Sequence, residues 1–290
     1  MMRLIFFFGL LMLTNCVSAQ SDTTLLRGSY AWFGEVQLED NSFMLEEAFN
    51  QDMGVIQHIF NANFDKFRFE TLQLSYTQEI PLTHRKHQLN LCFNYLMQGN
   101  TTGSLQANGF GDLYVSYRPL IFDERDWLMF IPRLTVIVPT GDASRKLGNG
   151  AWGLQVNLAA TKRLSKKLVM HFNAGATQFV KFDRYQYNGD QSTLTAERDV
   201  LFKNLGWSAV WHFRPRLNLM FEHTANYNAD ISDQGVVFTK TMQVFNPALR
   251  YCINRSHMQV VPGIGFPVSV ADGRAQQGIF FYLSFETSYR

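Results

Sequence analysis

The sequence predicts an all-β protein: a transmembrane antiparallel up-and-down β-barrel of about 12 strands with both termini periplasmic. Three observations carry this. First, apolar and polar side chains alternate over runs of ten to fourteen residues, the period that sends neighbours to opposite faces of a sheet. Ordinary strands run about 5–6 residues, whereas a tilted strand crossing a bilayer needs about 9–11. Second, the connections between runs are alternately short and long, as in outer-membrane barrels, with short turns at one end and longer loops at the other. Third, charged residues are 17% of the 290-residue chain and aromatics 14%, with 26 Phe. Soluble domains carry roughly 25% charged residues. Past residue 19 there is no run of about 18 apolar residues, so no helix is expected to span a membrane. The formal charge of +2, from 26 basic and 24 acidic residues, excludes a surface built to neutralise nucleic-acid phosphates.

Residues 1–19 read as a cleaved signal peptide. Arg3 is the positive start, residues 4–13 the apolar core and Val17-Ser18-Ala19 the cleavage site, leaving Gln20 as the mature N-terminus. A lipoprotein acylated on Cys16 is the competing reading, disfavoured by Asn15 where a small residue is usual. Losing Arg3 takes the basic count from 26 to 25 against 24 acidic residues. Cys92 and Cys252 remain and read as unpaired strand residues, since one distant pair makes no disulfide framework.

Residues 20–53 stand outside the alternating pattern as an N-terminal periplasmic arm or plug. They are acidic, with Glu35, Glu39, Asp40, Glu46, Glu47 and Asp52 against Arg27 alone. Phe43, Leu45, Ala48 and Phe49 offer one short amphipathic face, and Glu46, Glu47, Asn50 and Gln51 are the plug candidates. Two other readings stay open: a partly ordered arm, or first strands that begin near residues 30–38.

Residues 54–290 form the barrel. The candidate strands are 54–64, 68–80, 87–98, 111–122, 127–138, 150–163, 167–180, 200–213, 216–228, 239–253, 256–267 and 277–289. In one of them Leu205, Trp207, Ala209, Trp211 and Phe213 alternate with Asn204, Gly206, Ser208 and His212. Short turns are expected at 81–86, 123–126, 164–166, 214–215 and 254–255, and long polar loops at 99–110, 139–150, 181–199 and 229–238. Lipid offers no hydrogen-bond partner, so the first and last strands must pair and close the ring. Pro119, Pro132, Pro247 and Pro262 are expected at bulges or strand ends.

With the apolar partners facing lipid, the lumen receives Arg118, Arg133, Gln155, Asn157, His171, Asn173, Asn204, Glu222, Asn226 and Arg250. This face is amide-rich with few charges, and twelve strands set a bore between a side-chain-filled barrel and an open one. Trp32, Trp127, Trp152, Trp207 and Trp211 suit interfacial belts; an aromatic slide for hydrophobic cargo is the sharper alternative. Ser208 and His212 share one strand face, but no compact nucleophile motif surrounds them. His84-x-x-His87 is a weak metal signal, and no helix follows Gly109-x-Gly111 to make a phosphate loop. No catalytic residue, metal site or cofactor is expected.

One stretch is more specific. GFGDLYVSYRPLIF (residues 109–122) is followed at 130–177 by a hairpin ending in Pro139-Thr140-Gly141-Asp142, then Gly148-Asn149-Gly150, a long strand, a short basic turn and another strand. Residues 46–59 (EEAFNQ with GVIQHI) and 280–286 (FFYLSFE) add to it. In these places the chain resembles the outer-membrane transporters grouped under the meta-cleavage pathway of phenol degradation. The resemblance covers about two-thirds of the chain and implies a porin or channel, without defining cargo or binding residues. The C-terminus departs from the usual terminal aromatic: Arg290 is last and Tyr289 precedes it.

The expected function is an outer-membrane channel or transporter for small solutes, hydrophobic ones included, with long extracellular loops. A barrel enzyme acting on lipid or lipopolysaccharide is one alternative, and a non-conducting structural or interaction barrel another. The expected partners are outer-membrane lipid and lipopolysaccharide, the barrel-assembly machinery and a small-molecule solute. No nucleic acid is expected, and the barrel is expected to be a monomer.

Overall fold

The computed structural model describes residues 42–65, 71–83, 86–99, 105–124, 128–188, 191–232, 235–254 and 258–288. The signal peptide, residues 20–41, Trp32, the alternative first strand near 30–38, His84, Trp127 and the last two residues lie outside the described residues.

Twelve strands alternate along the chain. They are β1 (Val55–Asp65), β2 (Thr71–Pro81), β3 (His87–Gly99), β4 (Leu105–Phe110, Leu113–Pro119 and Phe122–Glu124), β5 (Leu128–Val138) and β6 (Trp152–Ser165). The second half holds β7 (Leu168–Asn188), β8 (Gln191–Arg214), β9 (Leu217–Ile231), β10 (Val237–Tyr251 and Ile253–Asn254), β11 (Gln259–Gly265 and Val268–Ala271) and β12 (Arg274–Ser288). Each pairs antiparallel with the next, and β1 pairs with β12 from Val55↔Ser288 to Asp65↔Gly278. The result is a closed antiparallel barrel with no free edge, whose only helical feature among the described residues is a 3-10 turn at Ala143–Arg145.

The alternation read from the sequence becomes two faces. Trp152 and Leu154 are 58% and 57% exposed, and Leu158, Phe172, Leu205, Trp211 and Phe281 lie on the same outward side. The intervening residues are buried although polar: Asn157, His171, Ser208 and Glu222. A soluble protein hides such a continuous apolar surface, whereas a barrel in lipid turns it outward and keeps the wet face in. At the end carrying the short turns the outer surface also bears ring pairs, His58 with Tyr76 and His87 with Tyr117, bonded Nδ1 to hydroxyl at 2.8 and 2.6 Å.

Two expectations about connections are corrected. Residues 181–188 and 191–199 are not loop: β7 and β8 stay paired out to Gln191↔Asn188, with register shifts at Leu194/Ala196 and Arg198/Val200. Beyond the bilayer both faces of a hairpin are wet, so its residues lose the apolar alternation without losing the ladder. Residues 105–110, expected as loop, likewise pair with β3. Among the prolines, Pro119 ends a strand segment as expected, and Pro132, Pro247 and Pro262 keep register with one neighbouring strand while standing where the ladder to the other is interrupted. Further register shifts fall at Arg163/Ser165 and His212/Arg214 beside short turns.

Candidate functional site

Residues 42–54 run without regular structure through the lumen, across its short-turn half. Their backbone groups would be orphaned there, because an irregular segment cannot bond itself. The inner wall supplies the partners. Glu222 Oε1 accepts from the N–H groups of Phe43 (2.9 Å) and Met44 (3.0 Å), and its Oε2 accepts from Asn246 Nδ2 (2.7 Å). Asn173 accepts from the Glu46 N–H at 2.9 Å and donates to the Glu46 carbonyl at 2.7 Å. Thr161 Oγ1 accepts from the Ala48 N–H at 2.8 Å, and Gln88 Oε1 from the Gln51 N–H at 2.7 Å. Ser42 meets Ser208 hydroxyl to hydroxyl at 3.0 Å.

Charges reinforce this seat. Arg118, 1% exposed, donates from Nη2 to the carbonyls of Glu47 and Phe49 and lies 3.6 Å from Glu79 through Nη1. Arg133 pairs with Glu46 and donates to Gln155 Oε1 at 2.8 Å. Glu47 is fully enclosed. Burial pushes its carboxyl up to about 8 despite the opposing pull of Arg118, so the proton is retained at neutral pH.

The segment's side chains are equally fixed. Phe43 stacks on Phe280 and Tyr282, with centroids 5.4 and 4.8 Å apart. Two inward glycines make room. A Cβ on Gly263 would stand 2.3 Å from Phe43 Cζ, and one on Gly206 would stand 2.5 Å from Leu45 Cδ2. Neither glycine was singled out from the sequence, since nothing local marks a strand glycine as the seat for a residue about 160 or more positions away.

Of the ten lumen candidates, Arg118, Asn157, His171, Asn173, Glu222 and Arg250 are buried on the inner face. Arg133 and Gln155 are bonded to each other there, and Asn204 stands opposite Asn226 in register on that face. The four plug candidates also sit in the lumen. Glu46 and Glu47 engage as above, Asn50 donates to the Arg118 carbonyl at 3.2 Å, and Gln51 donates to Gln57 and, at 3.4 Å, to Glu79.

Two cavities of about 270 and 480 Å³ remain in the lumen, sharing Phe43, Met44, Asn61, Thr77, Asn90 and Arg133 as walls. The larger extends toward the long-loop end, past Gln73, Asn94 and Tyr114. An apolar cluster of Ile137, Ala151, Phe179, Val200, Ala229 and Ile231 adjoins it through Tyr114.

The 139–151 loop is tied down by Asp112. Its carboxylate accepts from the N–H groups of Gly141 (3.1 Å) and Asn149 (2.9 Å) and from Asn149 Nδ2 (2.7 Å). Thr140 donates to the Gly111 carbonyl at 2.9 Å. The G-x-G-D, P-T-G-D and G-N-G motifs, separate in the sequence, thus meet as one loop anchor.

The Ser208 hydroxyl lies directly across from His171 in register. The His171 Nδ1, however, faces Thr161 Oγ1 at 2.8 Å, and His212 Nδ1 faces Asn218 at 3.1 Å. Nucleophilic catalysis needs a base within hydrogen-bond reach of the hydroxyl, and Ser208 is bonded to Ser42 instead. Among the described residues no cluster of three or more metal-ligating side chains forms. His87 of the weak metal signal is bonded to Tyr117.

No protein-family model matches the chain, and no curated protein matches it. Among solved structures the chain is similar to an outer membrane channel from Pseudomonas putida F1, with TM-score 0.58 and 12% identity over 87% of this chain and 100% of that one. The NanC porin matches with TM-score 0.49 and 9% identity over 80% of this chain and 99% of that one. The Ralstonia pickettii toluene transporter TbuX matches with TM-score 0.42 and 9% identity over 83% of this chain and 90% of that one. At such identities the likeness is one of fold: the chain has the closed β-barrel found in an outer-membrane channel.

Proposed function

We propose that the protein is a monomeric outer-membrane channel for small solutes, exported by cleavage after residue 19, with residues 42–54 as a plug that throttles its bore. The single observation behind this reading is the closed ring with its apolar face outward and a polar, partly hollow lumen inward. On this reading both termini and the short turns are periplasmic, and lipid and lipopolysaccharide surround the outer belt. The barrel-assembly machinery inserts it, and neither cofactor nor nucleic acid takes part. The amides and hydroxyls around the larger cavity favour polar solutes over hydrophobic ones, and the bonding of Ser208 favours a channel over a hydrolase. The resemblance to the transporters grouped under the phenol meta-cleavage pathway agrees with transport and supplies no cargo.

The test is conductance of the full-length protein in planar bilayers, with solute uptake by proteoliposomes. Small discrete steps are expected, growing when the plug's contacts are removed. A barrel silent in both assays, with the plug seated or released, refutes transport and leaves the sealed interaction barrel as the reading.

A further inference from the structure

We propose that the outer surface of the barrel at its short-turn end, around the β6–β7 and β8–β9 turns, binds the headgroup of an anionic phospholipid. Lys167, Arg214 and Arg216 take the phosphate, and Trp211 and Phe213 take the start of the acyl chains. The site rests on the channel reading for one thing, that the short turns face the periplasm and therefore the phospholipid leaflet.

The charges on this arc are of one sign. Lys162, Lys166 and Lys167 come from β6 and its turn to β7, and Arg214 and Arg216 from β8 and its turn to β9. The acidic residues of strands β6 to β10 lie elsewhere: Asp183, Glu197, Asp199 and Asp230 at the long-loop end, and Glu222 inside the lumen. Asp123 and Glu124, at the short-turn end of β4, are separated from β6 by β5. Lys166, Lys167, Arg214 and Arg216 are exposed. Among the described residues no carboxylate pairs with Lys167, Arg214 or Arg216. A chain with 26 basic and 24 acidic residues thus gathers basic ones at one edge. Like charges gathered there repel one another, which costs free energy until a counter-charge covers them.

Backbone bonds hold the patch together. The His212 N–H donates to the Lys167 carbonyl at 2.8 Å, and the Cys252 N–H to the Arg216 carbonyl at 2.9 Å. Neighbouring strands lie about 4.8 Å apart, so the two turns, two strands from each other, are separated by roughly 10 Å. The long stems of Lys and Arg close that gap from both sides. Guanidinium and ammonium groups both donate charge-assisted hydrogen bonds to phosphate.

The occupant is selected by what adjoins the charges. Trp211 and Phe213 are exposed on the outward face, edge to face with centroids 5.1 Å apart. Leu168 lies in register with Trp211, and Arg214 Cζ stands 5.7 Å from the Phe213 ring centre. An apolar and aromatic shelf ending in basic groups repeats a lipid's own order, acyl chain and then phosphate. A soluble acidic protein has no use for that shelf. A zwitterionic headgroup brings an ammonium that a patch of one sign repels, so the preference is for net negative lipid.

Native mass spectrometry of the full-length protein, with lipid titrated into the detergent, tests this. The probes are phosphatidylglycerol, phosphatidylethanolamine with the same chains, and lipid A. Each basic side chain beside an anionic lipid surface contributes about fivefold in affinity. Phosphatidylglycerol is therefore expected to bind about tenfold or more tightly than phosphatidylethanolamine. That margin is expected to shrink as salt rises from about 0.05 to about 0.5 M and screens the charges. The triple variant Lys167→Gln, Arg214→Gln, Arg216→Gln is expected to bring the two lipids within about twofold of each other. The triple variant Lys181→Gln, Lys203→Gln, Arg274→Gln, which removes the same charge toward the long-loop end, is expected to keep the margin.

The proposal is overturned if phosphatidylethanolamine matches phosphatidylglycerol on the wild type or if the margin ignores salt. It is equally overturned if the margin survives in the first triple variant or vanishes in the second. Loss of lipid A rather than phosphatidylglycerol from the first variant assigns the patch to the opposite leaflet and also overturns it. Should that variant fail to insert, the wild-type margin, its salt dependence and Arg216→Gln alone decide. A conducting barrel without the preference sinks the site alone; a barrel silent in bilayers that keeps it sinks the channel and not the site.

Discussion

Replacing Glu222 by Ala should unseat the threaded segment. The carboxylate is fully buried and holds the N–H groups of Phe43 and Met44 at 2.9 and 3.0 Å. Hydrogen bonds to a charged group contribute about 1.5–3 kcal/mol each, so the two together hold the docked form by roughly 3–6 kcal/mol. At about 1.4 kcal/mol per factor of ten, that is roughly two to four orders of magnitude in the docked-to-released ratio. Water entering the lumen returns part of this, which places the expected effect at the lower end. Cys92 reports it, because it lines the cavity that Phe43 and Met44 wall off. In a Cys252→Ala background, the rate at which a charged methanethiosulfonate reagent labels Cys92 should rise at least tenfold, and unitary conductance should grow with it. Glu222→Gln is the control. Its amide oxygen keeps accepting, and a turn of the Asn246 amide, whose Oδ1 has no partner among the described residues, meets the new NH2 group. The glutamine variant, whose neutral amide keeps both bonds at about 0.5–1.5 kcal/mol each, should fall between wild type and Glu222→Ala. Equal labelling and conductance in wild type and Glu222→Ala, with the barrel intact by heat-shifted gel migration, would refute the reasoning.

Other perturbations act on the same seat or test its frame. Gly263→Val places a side chain where Phe43 Cζ now sits and should raise conductance as Glu222→Ala does; unchanged single-channel steps would count against the packing account. Burial raises the folded-state pKa of Glu47 from its ordinary 4.5 to about 8, against the pull of Arg118 and with the push of Glu79 and Glu46. Its contribution to docking is therefore complete below about 4.5 and is lost as pH rises through about 8. Conductance should climb as pH rises from about 4.5 to about 8, level off above that, and stay flat in Glu47→Gln; a slope identical in both proteins would assign it elsewhere. Asp112→Ala removes the acceptor of three N–H groups of the 139–151 loop, so trypsin should cut at Arg145 or Lys146 several-fold faster while the barrel persists. Leu205→Arg puts a charge on the outer face, where it should cost up to about 2–4 kcal/mol in vesicle refolding. The inward Asn204→Asp should cost far less, and parity of the two would argue against the assignment of faces.

Much of this frame was legible in the sequence because lipid and lumen impose opposite chemistry on alternate residues. Leu205 and Trp207 against Asn204 and Ser208 fix both strand and face, and that argument repeats around the ring. Legibility failed where the constraint lapses. Residues 191–199 pair as strand yet are wet on both sides, so no alternation betrays them. The lumen candidates were placed on the inner face by parity, but their partners were not readable. Glu222 meets Phe43 across 179 positions, and Asn173 meets Glu46 across 127. Asp112 was visible only as part of a strand-opening motif. Its role as an anchor emerges when Gly141 and Gly148 come close enough that a Cβ on either would collide with the loop or with Asp112.

The threaded segment also bears on the order of assembly. The polar contacts described above lie on β1 to β9, which precede the last strand in the chain, while Phe43 presents its ring to Phe280 and Tyr282 on β12. We predict that the hoop is bent around this mandrel before its seam is welded, so that the final stave lands on a surface already shaped for it. Phe43→Ala should accordingly slow ring closure in pulse-chase insertion; closure at the wild-type rate would show that the seam needs no such template.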